Sequence, residues 1–254
     1  MANIGELADS LAAARRSRKH LTFDAAMACP SVAGAYHVQA IVAEKLGETV
    51  AGWKVGIWTD GSAMAAPIFA SDQRADGGDF QLSGDLASVK VEAELGLRLG
   101  RDLPPRSGGS YSREEILDAV AEAFCGIELV ATRFRNEADA DFPTKLADNF
   151  AHAGYVRGSG IASLAGINVT QMRCKVFQDG ACVRDQRGAH PFGDPLAPVI
   201  AWAAAQCDHL GGLRAGQFLT TGTLIDPFDL RKTACLQADL EGIGSAFANV
   251  EVKV

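Results

Sequence analysis

Apolar residues recur at helical spacing twice within the N-terminal part of the chain. Ile4, Leu7, Ala8 and Leu11 fall on one helix face. A second stretch opens at Pro30-Ser31, places Ala35, Val38, Ile41, Val42 and Leu46 together, and stops at Gly47. Beyond it the pattern turns strand-like, with segments predicted at 50–57, 89–99, 126–131, 169–177, 182–187, 218–224, 234–240 and 250–254. Asp179-Gly180 joins two of these runs as a hairpin signal. Ser112 and Glu115 form a capping box ahead of Ile116, Leu117, Val120 and Ala121, and the Ala-rich segment 195–209 predicts a helix that ends at Gly211-Gly212. Segment 70–88, rich in Gly, Asp and Ser, reads as a loop or mobile lid. The expected fold class is α+β, a helical N-terminal segment (1–48) followed by a strand-rich, mixed β body (49–254) that carries the chemistry.

Composition changes this picture little. The 254 residues are 48% hydrophobic, enough for a sizeable core. A net charge of −7 argues against nucleic acid or a membrane surface as partner. Arg15, Arg16, Arg18 and Lys19 make a short cationic run at a helix end, where they complement the dipole and read as surface. Six scattered cysteines, without metal-type spacing, read as reduced thiols. Neither a signal peptide nor a membrane-length apolar run is read, so the expected location is the cytoplasm.

Three acids stand out against the apolar pattern. Glu92 and Glu94 lie two apart in a predicted strand, so both side chains point to one face with Cα atoms about 6.6 Å apart. Glu128 is the only polar residue in Gly126-Ile-Glu-Leu-Val-Ala131. Buried carboxylates need a cation, and an all-oxygen donor set suits a hard divalent ion. The plainer reading is a solvated sheet face with Lys90 and Arg98 as partners, and spacing leaves both open. Lys54, framed by Gly52 and Gly56, has two readings as well: a lysine of lowered pKa that moves protons, or one whose ammonium reaches water.

Taken in order, Gly52-Trp-Lys-Val-Gly56, Val91-Glu-Ala-Glu-Leu95, Leu99-Gly-Arg-Asp-Leu-Pro104, Gly126-Ile-Glu-Leu-Val130, Leu146-Ala-Asp-Asn149, Asp179-Gly180 and the run from Leu213 to Thr223 resemble one family. It is the 2-keto-4-pentenoate hydratase and 4-oxalocrotonate decarboxylase branch of the fumarylacetoacetate hydrolase superfamily, and the resemblance spans essentially the whole chain. It implies the strand-rich fold of that superfamily, Glu92, Glu94 and Glu128 as ligands of Mg²⁺ or Mn²⁺, and Lys54 as the proton-transferring lysine. Thr221, Gly222 and Thr223 match the turn that approaches a substrate carboxylate. A homo-oligomer is implied too, and association with a related enzyme is left open.

Two departures bear on the site. The segment from Ile57 to Asp72 looks shortened, which leaves the loop's acidic position either to Asp72 or empty, and Trp58 either narrows the pocket or packs in the core. His152 stands where the family carries small residues or serines, as a general base or as a packing histidine. The expected function is a metal-dependent lyase that hydrates a small 2-hydroxy-dienoate or 2-oxo-enoate of aromatic catabolism. Decarboxylation of an oxalocrotonate-type acid, C–C hydrolysis of an acylpyruvate-like diketo acid and a partner-subunit role are the alternatives.

Overall fold

The computed structural model describes residues 4–83, 89–207 and 209–253. Helices α1 (Ile4–Ser17) and α2 (Val32–Leu46) form where the apolar period places them. Ser31 caps α2 by accepting the Gly34 N–H, and Gly47 closes it in the left-handed region at φ 67°. The two helices pack Leu7, Leu11, Val38 and Val42 against Phe69, Phe134 and Leu146 of the body, a small core of its own.

Two sheets build the body. The larger one runs β2 (Ala63–Phe69), β1 (Val50–Ile57), β10 (Phe218–Thr223), β5 (Val89–Leu99), β6 (Val120–Val130), β7 (His152–Ile161) and β3 (Gln73–Ala75), with β11 (Phe228–Leu230) also paired to β5. The smaller one runs β4 (Gly78–Ser83), β13 (Gly244–Lys253), β12 (Ala234–Leu240), β8 (Arg173–Gln178) and β9 (Ala181–Arg187). The apolar face of β5 and β6, including Leu95, Leu97 and Ile127, shares the main core with Leu236, Ala246 and Val250 of the second sheet. That arrangement commits one face of β5 to the core and frees the other for Glu92, Glu94, Gly96 and Arg98. Helices α3 (Arg113–Ala119), α4 (Phe142–Ala147) and α5 (Ala197–Ala205) fill the connections, and the Ser112–Glu115 capping box is present on α3.

Several sequence expectations are corrected. Most of the segment expected as a loop or lid carries structure: β3 pairs with β7, and β4 lies parallel to β13, burying Phe80 and Leu82. Positions 84–88 of that segment, residue 208 of the expected helix and residue 254 of the last expected strand lie outside the described residues. β6 begins at Val120, where α3 stops, six residues before the strand start read from the sequence. The expected strand at 169–177 begins as a 3₁₀ turn over Val169–Gln171. The run after Gly56 forms a tight turn and then β2, antiparallel to β1. Trp58 stacks on Phe142 with ring centroids 3.9 Å apart. Among the described residues no helix is long and apolar enough to cross a membrane.

Candidate active site

Register puts the candidate residues on one face. Glu92 pairs with Glu128 across β5 and β6, and Glu94 pairs with Gly126. From the other side Lys54 of β1 pairs with Thr220 of β10, which pairs with Gly96 of β5. Residues opposite one another in a ladder project to the same side. Sequence distance of up to 166 positions therefore collapses into a few ångströms. One oxygen from each of Glu92, Glu94 and Glu128 lies within 4.8 Å of the others.

The floor beneath these acids is built by close approach. A Cβ on Gly96 would stand 2.2 Å from the Phe124 ring, and one on Gly126 would stand 1.9 Å from the Tyr155 hydroxyl. Glycine at both places lets Phe124 and Tyr155 lie flat under the acids, where they pack with Phe218 and Ile68 in a buried cluster. Phe124 meets Tyr155 and Phe218 edge-on, with centroids 6.4 and 5.9 Å away. The acids consequently rest on an apolar base that offers them no water.

Their burial rules out a solvated sheet face. Glu94, Glu128 and His152 are fully buried, while Glu92 and Lys54 keep 17% of their side chains exposed. Arg98, a possible partner in the plainer reading, pairs instead with Glu122 at 2.9 Å. Lys54 Nζ donates to Glu128 Oε1 at 2.9 Å and lies 4.0 Å from Glu92 Oε2. The Nδ1 of His152 is 3.0 Å from the same Glu128 oxygen, and with the carboxylate ionised it is the N–H donor. Its Nε2 is then a bare acceptor, buried without a partner.

Each group's proton affinity follows from this crowding. Burial raises the pKa of Glu94 well above 4.5, the charges of Glu128 and Glu92 add to the rise, and Lys54 and the Thr220 hydroxyl counter it only in part. Glu92 is raised by burial, with Lys54 opposing and Glu128 assisting. Glu128 is held below its ordinary value: burial works against ionisation, but Lys54 and His152 outweigh it. For Lys54 burial opposes the charge, yet Glu128, Glu92 and Glu94 overcome it and the pKa is raised. The expectation of a lowered lysine pKa thus fails, because three carboxylates surround it.

Both oxygens of Glu94, Oε2 of Glu128, the Tyr155 hydroxyl and the Thr220 hydroxyl are buried without a hydrogen-bond partner of ordinary geometry. Orphaned carboxylate oxygens this close together are costly unless a cation takes them. The donor set is all oxygen, which fits a hard divalent ion.

The threonine-glycine turn divides by strand parity. The hydroxyl of Thr221 points away from the acids and donates to the Leu95 carbonyl at 2.9 Å, and its carbonyl accepts from His190 Nε2 at 2.8 Å. Gly222 takes a φ of +100°, and Thr223 donates to the Ile225 carbonyl at 2.9 Å. The threonine on the acid face is Thr220, which sequence reasoning passed over, as it passed over Tyr155 and His190. Thr220 lay next to the motif threonine in a predicted strand, so alternation put it on the opposite face from Thr221; Tyr155 carried no signal, because its strand was not recognised. Asp72 pairs with Arg15 at 3.2 Å and does not join the acid cluster.

The chain as a whole is similar to known proteins. The family model described as fumarylacetoacetate (FAA) hydrolase C-terminal matches residues 59–251. A 2-keto-4-pentenoate hydratase of Burkholderia vietnamiensis is 32% identical over 211 residues, covering 80% of this chain and 78% of that protein. Its counterpart from Paraburkholderia phymatum is 32% identical over 212 residues, with 80% and 79% covered. Among solved structures, 4-oxalocrotonate decarboxylase from Pseudomonas putida G7, complexed with magnesium and adipate, superposes with a TM-score of 0.81 at 20% identity over 97% of each chain.

Proposed function

Because this chain belongs to the fumarylacetoacetate (FAA) hydrolase family, we propose that it is a divalent-metal-dependent hydro-lyase adding water to a small 2-hydroxy-dienoate or 2-oxo-enoate. The observation that carries this reading is the buried triad of Glu92, Glu94 and Glu128 with Lys54 at its edge. The three carboxylates hold Mg²⁺ or Mn²⁺, as magnesium accompanies the related decarboxylase structure. Bound there, the ion supplies Lewis acidity toward the carboxylate and 2-oxygen of a 2-oxo acid.

The protein's own groups divide the proton work. Lys54, kept charged by its carboxylate neighbours, is the acid that delivers a proton to the carbon skeleton and turns the dienol into an electrophilic enone. His152 is oriented by Glu128 through Nδ1, so its free Nε2 lone pair accepts the proton of the attacking water. The substrate carboxylate is received by backbone donors around Gly222 and by the Thr220 hydroxyl, since Thr221 and Thr223 already spend their hydroxyls on backbone carbonyls. The aromatic floor keeps bulk water from the enolate side.

The assay is turnover of 2-hydroxypenta-2,4-dienoate by purified protein with Mg²⁺, Mn²⁺ or EDTA, alongside 4-oxalocrotonate. Activity is expected with either ion, none with EDTA and none in Glu92→Gln. Undiminished turnover in EDTA sinks the metal mechanism. Release of CO₂ from 4-oxalocrotonate without hydration of the dienoate would move the assignment to decarboxylation, which the fold of the related decarboxylase favours. We further place the protein in the cytoplasm as a homo-oligomer, to be checked by light scattering. Assembly only with a second, related chain would favour the partner-subunit alternative.

A further inference from the structure

The cationic run near the end of α1 is not simply surface. Arg15, Arg16, Arg18 and Lys19 line a cavity of about 440 Å³ together with Arg74 and Arg133. Among the described residues, only Glu48 and Asp72 oppose these six cations in its wall, in a protein whose net charge is −7. None of Lys54, Glu92, Glu94, Glu128 and His152 lines it, so it is separate from the metal site.

Arg15 is the informative member. Its side chain is 90% buried by the 10% exposure that remains, and one terminal nitrogen bonds Asp72 Oδ2 at 3.2 Å. The other, NH2, is buried without a partner. Burial and the nearby Arg133 guanidinium lower the pKa of Arg15 to about 10, against the opposing pull of Asp72 and Asp148. Each side-chain nitrogen of Arg133 donates to Asp148 or to the His152 carbonyl, which fixes its charge beside Arg15. A buried guanidinium paired on one nitrogen only, with a like charge beside it, keeps one N–H edge able to hold a further anion. Apolar surface lies alongside: Phe69, under Arg15 at 5.3 Å, and Phe80, under Arg74 at 5.4 Å, both line the cavity, as does Leu82. The volume far exceeds that of a bare inorganic anion and falls in the range of sites for small organic ligands.

We propose that this cavity binds a small organic anion, a carboxylate carried on a flat apolar body, with its head on the free edge of Arg15 and its body against the wall formed by Phe69, Phe80 and Leu82. Exposed Arg16 and Lys19 at the rim draw the anion in, so binding weakens with added salt.

The test is calorimetric titration of the metal-loaded protein with benzoate, with benzyl alcohol and inorganic phosphate as controls. Saturable benzoate binding is expected, weakened about tenfold or more by Arg15→Met and about threefold by Arg16→Gln/Lys19→Gln. Glu94→Gln should leave it unchanged, which separates this cavity from carboxylate binding at the metal. The rim variant changes only exposed side chains and decides the matter if Arg15→Met does not fold. Absence of saturable binding, or binding that survives the arginine and rim variants but is lost in Glu94→Gln, overturns the site. Benzyl alcohol binding as tightly as benzoate overturns the requirement for an anion, and phosphate binding as tightly overturns the apolar body.

Discussion

Replacing Glu94 by Gln should raise the stability of the metal-free protein while removing its response to metal. Glu94 is fully buried, and neither of its oxygens has a hydrogen-bond partner of ordinary geometry. Burial first, then the charges of Glu128 and Glu92, raise its pKa well above 4.5. A carboxyl raised in the folded state stabilises the fold below its unfolded pKa, and that contribution is lost as pH rises through the folded value. In EDTA the wild-type protein should therefore lose stability as the pH climbs from about 4.5, and Glu94→Gln should lose less. At pH 7.5 the window above 4.5 is about three units, and at about 1.4 kcal/mol per unit the penalty has a ceiling of about 4 kcal/mol. A gain of about 1–4 kcal/mol translates to roughly 3–12 °C in Tm for a chain of this size. With metal at about 100 times its Kd, the wild type gains about 2.7 kcal/mol and the variant gains nothing comparable. Thermal unfolding in EDTA and in Mn²⁺ reads both arms, and the variant's advantage should shrink by about 2.7 kcal/mol when Mn²⁺ replaces EDTA. A variant less stable than wild type in EDTA at pH 7.5 would refute the reasoning, because Glu94 would then be contributing to the fold rather than straining it.

Lys54→Met removes the ammonium 2.9 Å from Glu128. Turnover should fall about 10²–10⁴-fold, while calorimetry should find Mn²⁺ bound at least as tightly, since a repelling cation has gone; turnover within threefold of wild type would exclude the lysine from the chemistry. Gly96→Ala drives a methyl to 2.2 Å from the Phe124 ring, and thermal unfolding should show a loss of about 1–3 kcal/mol, part of which Gly96→Ala/Phe124→Leu recovers. His190 is held below pKa 6.5 by burial, against its bond to the Thr221 carbonyl. The unfolded chain then takes up a proton that the folded one refuses, so stability is complete above about pH 6.5 and falls below it by at most about 1.4 kcal/mol per pH unit; chemical denaturation between pH 5 and 7.5 should show a shallower fall in His190→Gln.

The parts of the fold legible in the sequence are those where one face is buried and the other is not. α1, α2, β1, β5 and β12 show such a pattern and form where it places them. β7 was invisible because Gly154, Gly158 and Gly160 dilute its strand character, and each of them is needed where a neighbouring element comes too close for a side chain. β4 hid in a segment of Gly, Asp and Ser, since its pairing to β13 spans more than 160 positions and leaves no local trace. For the site, alternation alone placed Glu92 and Glu94 on one face but could not bring Glu128, Lys54 or His152 to it. Those meet through sheet register, which a single sequence does not encode locally. The threonines show the limit well. A motif reading points to Thr221, and a shift of one strand position puts Thr220, not Thr221, over the acids.

Charge balance carries the site argument one step further. With all three carboxylates ionised, a single ammonium leaves two negative charges uncompensated, and Nδ1 of His152 faces Glu128 alone. Among the described residues, Arg98 and Arg157 are both taken by Glu122, Lys90 acts only weakly on Glu92, and the floor is Phe124, Tyr155 and Phe218. A divalent cation closes that balance, whereas a monovalent one leaves a buried charge and a trivalent one creates a new excess. The same count explains why Lys54 belongs beside the triad and not within it. Its ammonium favours the ionised form of all three acids and so lowers the cost of holding them together.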